Sequence, residues 1–257
     1  MFGKLIREYV PNSSDLIINF EDNIDYKPDD DEVFLISDFN IQDILINCAR
    51  QPLAVEILDE DDYEYIKYIF ISDIRDGNVK LAFTVFDKKK IIHPTSRWYI
   101  LHSGDTFRKL DKKAIALDSR IDALYYNGNL YFRSLYMIKR IFKEEINEYY
   151  REATDNEVET FNNTFFKEDI PEEYIDSRSR KLIFGIVKSG VSYNLPEIIK
   201  IGKKFGLSVE LDEESGKLIV PQSKREFKKL LKFLNDDLLE SPLTQAKYET
   251  NSKRRIA

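Results

Sequence analysis

Cysteine occurs once in these 257 residues, so no internal disulfide can form. Cys48 lies in an apolar stretch, IQDILINCAR, which suits a reducing compartment. Histidine is nearly as scarce. His93 and His102 join Cys48 as the only soft ligands, and none stands at CxxC, HxxxH or HExxH spacing. No metal, cofactor or nucleophilic side chain is therefore expected. Nine Gly and eight Pro are too few for long disordered linkers. Gly185, Gly190 and Gly202 are scattered, with neither GxxxxGK[ST] nor GxGxxG to cradle a nucleotide. No run approaches the roughly 18 apolar residues of a membrane span. The start, MFGKLIREYV, lacks the apolar core of a signal peptide. The expected location is the cytoplasm, with recruitment to the inner face of the membrane only through a partner.

The chain does hold a great deal of charge, 33% of residues, beside 42% hydrophobic residues that can fill a core. The net charge of −7 hides a split. Residues 1–177 carry 22 Lys+Arg against 36 Asp+Glu, whereas residues 178–257 carry 17 against 10. Such asymmetry points to different partners for the two regions, or to an acidic region of one copy meeting a basic region of another.

The first 135 residues read as strands. EVFLISDF, YEYIKYIFISDI, VKLAFTVFD and RWYILHSG are rich in β-branched and aromatic residues and bounded by Asp, Gly and Pro. Asp76-Gly77-Asn78 fits a hairpin turn. The clearest local signal is IDALYYNGNLYFRS, where Asn127-Gly128 supplies the two positive-φ residues of a type I′ turn. One helix interrupts the strands, with Ile41, Ile44, Leu45 and Cys48 at helical spacing.

From Leu135 the period changes. Met137, Ile138, Ile141, Phe142 and Ile146 form a helical stripe, and Asp155 to Phe166 a second helix with Val158, Phe161 and Phe165 inward. RSRKLIFGIVKSG is helical by the spacing of Leu182, Ile183, Ile186 and Val187, although its β-branched residues also allow a strand. Asn194 with Glu197, and Ser223 with Glu226, are helix-capping pairs, and Gly206 stands where the first of those helices ends. LSVEL and KLIV flank the acidic turn DEESG as a short hairpin. The fold class is α+β: a β-rich domain over residues 1–135, then an α-rich basic domain over residues 136–257 with a short β-hairpin.

Acidic runs at 29–32, 59–64 and 210–217 raise the alternative of a metal-dependent nuclease. The first two read as turns that keep strand edges solvated. The last would leave its carboxylates splayed. The basic residues form a more coherent set. Arg178, Arg180 and Lys181 open one element, and Lys200, Lys203 and Lys204 lie on the next helix. Lys224, Arg225, Lys228, Lys229 and Lys232 follow, then Lys253, Arg254 and Arg255 in the tail. Positions 224, 228 and 232 align on a helix, with 225 and 229 beside them. Stripes of this kind bind phosphate backbones without reading bases. An ordinary amphipathic helix with a wet lysine face would look the same.

The stretch FGLSVELDEESGKLIVPQSKREFKKLLKFLNDDLLESPLTQAKYETNSKRRI resembles the end of the KwaB-like proteins of the bacterial Kiwa antiphage defence system. LDSRIDALYYNGNLYFRSLYMIKRIF resembles the middle of that family, where a hydrophobic hairpin runs into a helix. The resemblance implies a cytoplasmic effector subunit without enzymatic activity that binds DNA and blocks phage replication. It also implies a small membrane-embedded partner, KwaA-like, and assembly into homo-oligomers. The rival readings are the nuclease and a structural assembly subunit that does not bind nucleic acid.

Overall fold

The computed structural model describes residues 9–51, 58–75, 78–94, 100–103, 106–109, 111–117, 119–191 and 193–254. The chain divides into two compact units, Met1–Asn23 with Pro28–Ile146, and Ile24–Lys27 with Asn147–Ala257.

The first unit is organised by six strands: β1 (Ile17–Asn19), β2 (Val33–Ile36), β3 (Tyr68–Arg75), β4 (Asn78–Val85), β9 (Ala123–Tyr126) and β10 (Asn129–Phe132). They form one mixed sheet in the order β1-β2-β10-β9-β4-β3, in which only β1 and β2 run parallel. The pairs β5 (Ile91–Ile92) with β8 (Ala114–Ile115), and β6 (Ile100–Ser103) with β7 (Thr106–Lys109), make two small antiparallel ladders. The expected hairpin is present. Tyr126 pairs with Asn129, and Asn127 and Gly128 have φ of +52° and +76°. Asp76 and Gly77 lie outside the described residues, but Arg75 and Asn78 are paired across them.

Alternation decides which face of the sheet is buried. Phe34, Ile36, Phe132, Leu130, Phe83 and Leu81 are all below 3% exposed. Phe20 meets Phe34 and Phe132 edge-on, each at 5.1 Å between ring centres. Phe142 does the same to Phe83 at 5.0 Å. On the other face, Tyr9 packs with Ala82 and Leu124. Helix α1 (Asp43–Arg50) buries Leu45 and Ala49. Ile44, grouped by spacing with the inward residues, is instead 64% exposed, because the helix starts at Asp43 and its inward ridge runs 45–49. The apolar stripe after Leu135 forms two helices, α2 (Leu135–Ile141) and α3 (Lys143–Asn147), because Phe142 leaves helical geometry at ψ of 61°.

The second unit contains α4 (Asp155–Phe165), α5 (Ser177–Ser189), α6 (Leu195–Lys204) and α7 (Lys224–Leu234), then an antiparallel ribbon of β11 (Leu238–Glu240) and β12 (Lys247–Glu249). Each helix begins where a side chain accepts an orphan N–H: Thr154, Asp176, Asn194 and Ser223 respectively. Thr154 and Glu157 make a reciprocal capping box. The helices close over one apolar core that includes Phe161, Phe165, Phe166, Ile183, Leu218, Phe227, Leu230 and Leu231. The hairpin expected around DEESG is reduced to a single antiparallel bridge, Leu211 to Leu218, since Leu218 also bridges Phe166 in parallel. The regular hairpin comes later, as β11 and β12.

Candidate nucleic-acid interface

Helix α7 carries its apolar residues at 227, 230, 231 and 234, all buried, so its lysines are forced onto the remaining faces. Lys224, Lys228 and Lys232 align along one ridge, but that ridge is not open. Lys228 donates to Asp176 at 2.5 Å, and Lys224 reaches the same carboxylate oxygen at 3.1 Å. Lys232 pairs with Glu249 of β12. Lys228, then the Ser179 N–H, hold the Asp176 carboxyl well below the usual carboxylate range. Glu249 is lowered in the same way by Lys232, with Arg178 adding to the effect. Asp176 also caps α5 by accepting from the Ser179 N–H at 3.0 Å. One carboxylate thus ties the start of α5 to the first two turns of α7.

A second group of cations gathers at the C-terminal end of α6, where the last carbonyls carry the negative end of the helix dipole. Gly206 turns the chain there with φ of +68°. Lys229 of α7 donates to the Gly206 carbonyl at 2.7 Å, and Lys247 of β12 donates to the Lys204 carbonyl. The Lys247 ammonium also lies 5.8 Å from the centre of the Phe205 ring. Lys203 and Lys204 stand on the same last turn with exposed side chains. Lys200 lies one turn earlier on α6, and Arg225 one turn before Lys229 on α7, both exposed. The end of α6 therefore collects cations from three separate elements, and Glu249 sits between Lys232 and Arg178 beside it on the ribbon.

The other expected residues are placed differently. Arg178 and Lys181 are exposed on α5, whereas Arg180 is turned onto the Ala153 carbonyl at 2.9 Å and Asp155 at 2.7 Å. Lys253 is half-buried and paired with Asp237 at 2.8 Å. Arg254 is exposed, and Arg255 lies outside the described residues. Lys247 was not among the expected residues, because AKYET reads as tail; its alternation of charged and aromatic residues is the only strand signal there.

The acidic turn has its own internal use. Asp212 accepts from Lys167 at 2.8 Å and from the Ser215 N–H at 2.8 Å, which lowers its carboxyl to about 2, while Glu213 and Glu214 are exposed. Among the described residues, no three His, Cys, Asp or Glu side chains stand close enough to hold a metal ion.

The model of the family described as Kiwa protein KwaB-like matches residues 65–244. The chain belongs to this family. Membership of the KwaB-like family gives it a role in antiphage defence, as the resemblance implied. The match takes in β3, β4, the Asn127-Gly128 hairpin and α2 to α7, and ends inside the turn of the β11–β12 ribbon. Lys247, Lys253 and Arg254 lie beyond it. No curated protein and no solved structure matches the chain. No helix among the described residues is long and apolar enough to cross a membrane.

Proposed function

We propose that this KwaB-like chain is the nucleic-acid-binding subunit of an antiphage defence system, holding duplex DNA by its phosphates. The observation that carries this reading is the convergence of Lys203 and Lys204 of α6, Lys229 of α7 and Lys247 of β12 at one helix end. Arg225 of α7, Lys200 of α6 and Lys181 of α5 are further exposed cations on the helices of this unit. Phosphate contacts of this kind give affinity without base recognition and fall steeply with salt. The absence of a GxxxxGK[ST] loop from the sequence fits binding without nucleotide hydrolysis.

On this reading, occupancy of phage DNA stops replication, and a KwaA-like membrane protein brings the chain to the membrane. The opposite charges of residues 1–177 and 178–257 favour self-association into a dimer or larger assembly. Gel retardation of duplexes of unrelated sequence, with and without Mg²⁺, tests the binding step. Retardation without cleavage, similar across sequences, is the expected result. Cleavage with Mg²⁺ would favour a nuclease, and absence of retardation would leave the positive surface to association between copies.

A further inference from the structure

Strand β3 ends the six-stranded sheet, with β4 on one side and no strand among the described residues on the other. Its residues pair with β4 in a single register, from Tyr68 with Val85 to Arg75 with Asn78, without a bulge. The Phe86 N–H donates to the Lys67 carbonyl at 3.0 Å, which fixes the direction in which each residue bonds. Backbone groups alternate along an antiparallel pair, so Ile69, Ile71 and Asp73 bond to β4 as Lys67 does. The N–H and C=O groups of Tyr68, Phe70, Ser72 and Ile74 point away from it. Among the described residues, no backbone hydrogen bond takes up these four positions.

Edge strands are commonly protected by brevity, a lysine, a proline or a bulge. β3, YIFISDIR, has eight residues and none of these devices. Ile71 and Ile74 are 49% and 41% exposed, one on each face of the sheet. On the Ile71 face a shallow apolar cavity is lined by Ile69, Ile71, Thr84, Phe86 and the exposed Leu117. A long, unbulged, apolar edge of this kind is a template for another strand.

We propose that β3 pairs antiparallel with β3 of a second copy, joining the two sheets edge to edge about a two-fold axis at Phe70. The sequence of the strand argues for this occupant, because it is complementary to its own reverse. With Phe70 opposite Phe70, Lys67 meets Asp73, Tyr68 meets Ser72 and Ile69 meets Ile71, each twice by symmetry. Opposite charges thus flank apolar cross-strand pairs, both of which stabilise a sheet. The outward-pointing Tyr68, Phe70 and Ser72 also fall opposite one another, as the ladder requires. Sliding one copy by two residues sets Ile69 against Asp73 and removes both charge pairs. In the Phe70 register, Ile71 of the second copy lies beside Ile69 at the mouth of the cavity. The inference goes beyond DNA binding and does not depend on it. It also differs from attraction between acidic and basic regions, since both edges lie within residues 1–177, with 22 Lys+Arg against 36 Asp+Glu. Salt screens repulsion between two such regions, so this pairing persists or tightens at high salt, whereas attraction between unlike regions weakens.

Sedimentation velocity of the full-length protein at low and high salt tests the proposal. The wild-type protein sediments as a dimer at both. Ser72→Pro removes an N–H that points away from β4, a position at which edge strands tolerate proline. It sediments as a monomer, while Ser72→Ala remains a dimer. Ile71→Lys puts a charge on the exposed edge and also yields a monomer. Lys67→Glu turns both charge pairs into like pairs and weakens the dimer roughly tenfold. Circular dichroism establishes that each variant is folded, and if Ser72→Pro is not, Ile71→Lys and Lys67→Glu decide. A wild-type monomer at every concentration overturns the proposal, as does a dimer that Ser72→Pro and Ile71→Lys leave intact. A dimer that these variants leave intact and that dissociates at high salt belongs instead to attraction between acidic and basic regions. Gel retardation reads DNA binding separately, so either reading can fail alone.

Discussion

Lys228 Nζ lies 2.5 Å from Asp176 Oδ2, and Lys224 Nζ lies 3.1 Å from the same oxygen. The Lys228 partner stands 52 residues along the chain from Asp176, and the bond joins the start of α5 to α7. The pairing occupies two cations of the basic ridge while the same carboxylate caps α5.

Asp176→Asn separates those two roles, because asparagine caps a helix about as well as aspartate. Asp176 and the two lysines keep between 28% and 41% of their side-chain surface open to solvent, so the drop in stability should stay below about 1 kcal/mol. Release of Lys224 and Lys228 should tighten duplex DNA binding. Denaturant melts and gel retardation of the variant check the two effects together. Unchanged affinity would place the ridge outside the interface.

The pH dependence follows from the same carboxyl. Its folded-state pKa is depressed, so its contribution to stability is complete above the unfolded value of about 3.9 and disappears as pH falls towards the folded one. The stability gap between wild type and Asp176→Asn should therefore be constant near neutrality and shrink only below about pH 4. A gap that closes already between about pH 7 and about pH 5 would assign the effect to another group.

The Asn127-Gly128 turn should respond to backbone geometry alone. A Cβ added to Gly128 meets nothing within 4 Å, but φ is +76°. Gly128→Ala should cost about 1–2 kcal/mol through strain, with no change in DNA binding. Thermal melting and gel retardation of this variant decide it.

Phe227 anchors α7. It is fully buried, with its ring 6.1 Å from Phe166 and 5.8 Å from Tyr174. Phe227→Ala should destabilise the second unit by about 3–5 kcal/mol and abolish DNA binding through unfolding. Circular dichroism separates this from a direct role in binding, since the helix signal of the variant should fall together with its affinity.

The legible parts of the fold were those written in adjacent residues. Asn127-Gly128 specifies its hairpin within two positions, and Asn194 and Ser223 announce their helices within four. The sheet order was not legible, because the parallel pairing of β1 with β2 and the position of β10 beside β2 join segments far apart in sequence. The ribbon was missed because its strands are three residues long and its turn, SPLTQA, contains no glycine. For the site, charge and helical spacing found the lysines of α6 and α7 but could not reveal that Asp176 and Glu249 occupy three of them. Spacing shows that side chains share a ridge; only the tertiary fold shows what lies across from it.

Phosphate binding at the end of α6 makes duplex affinity depend steeply on salt, and that dependence can be measured residue by residue. Lys203→Gln, Lys204→Gln and Arg225→Gln together remove three exposed cations that make no ion pair among the described residues, which spares the fold. The slope of log K against log salt should flatten by about 0.9 for each phosphate no longer neutralised, up to about 2.7 for all three. Affinity should fall by similar factors on unrelated duplexes. A slope identical to that of the wild-type protein would mean that these residues hold no phosphate.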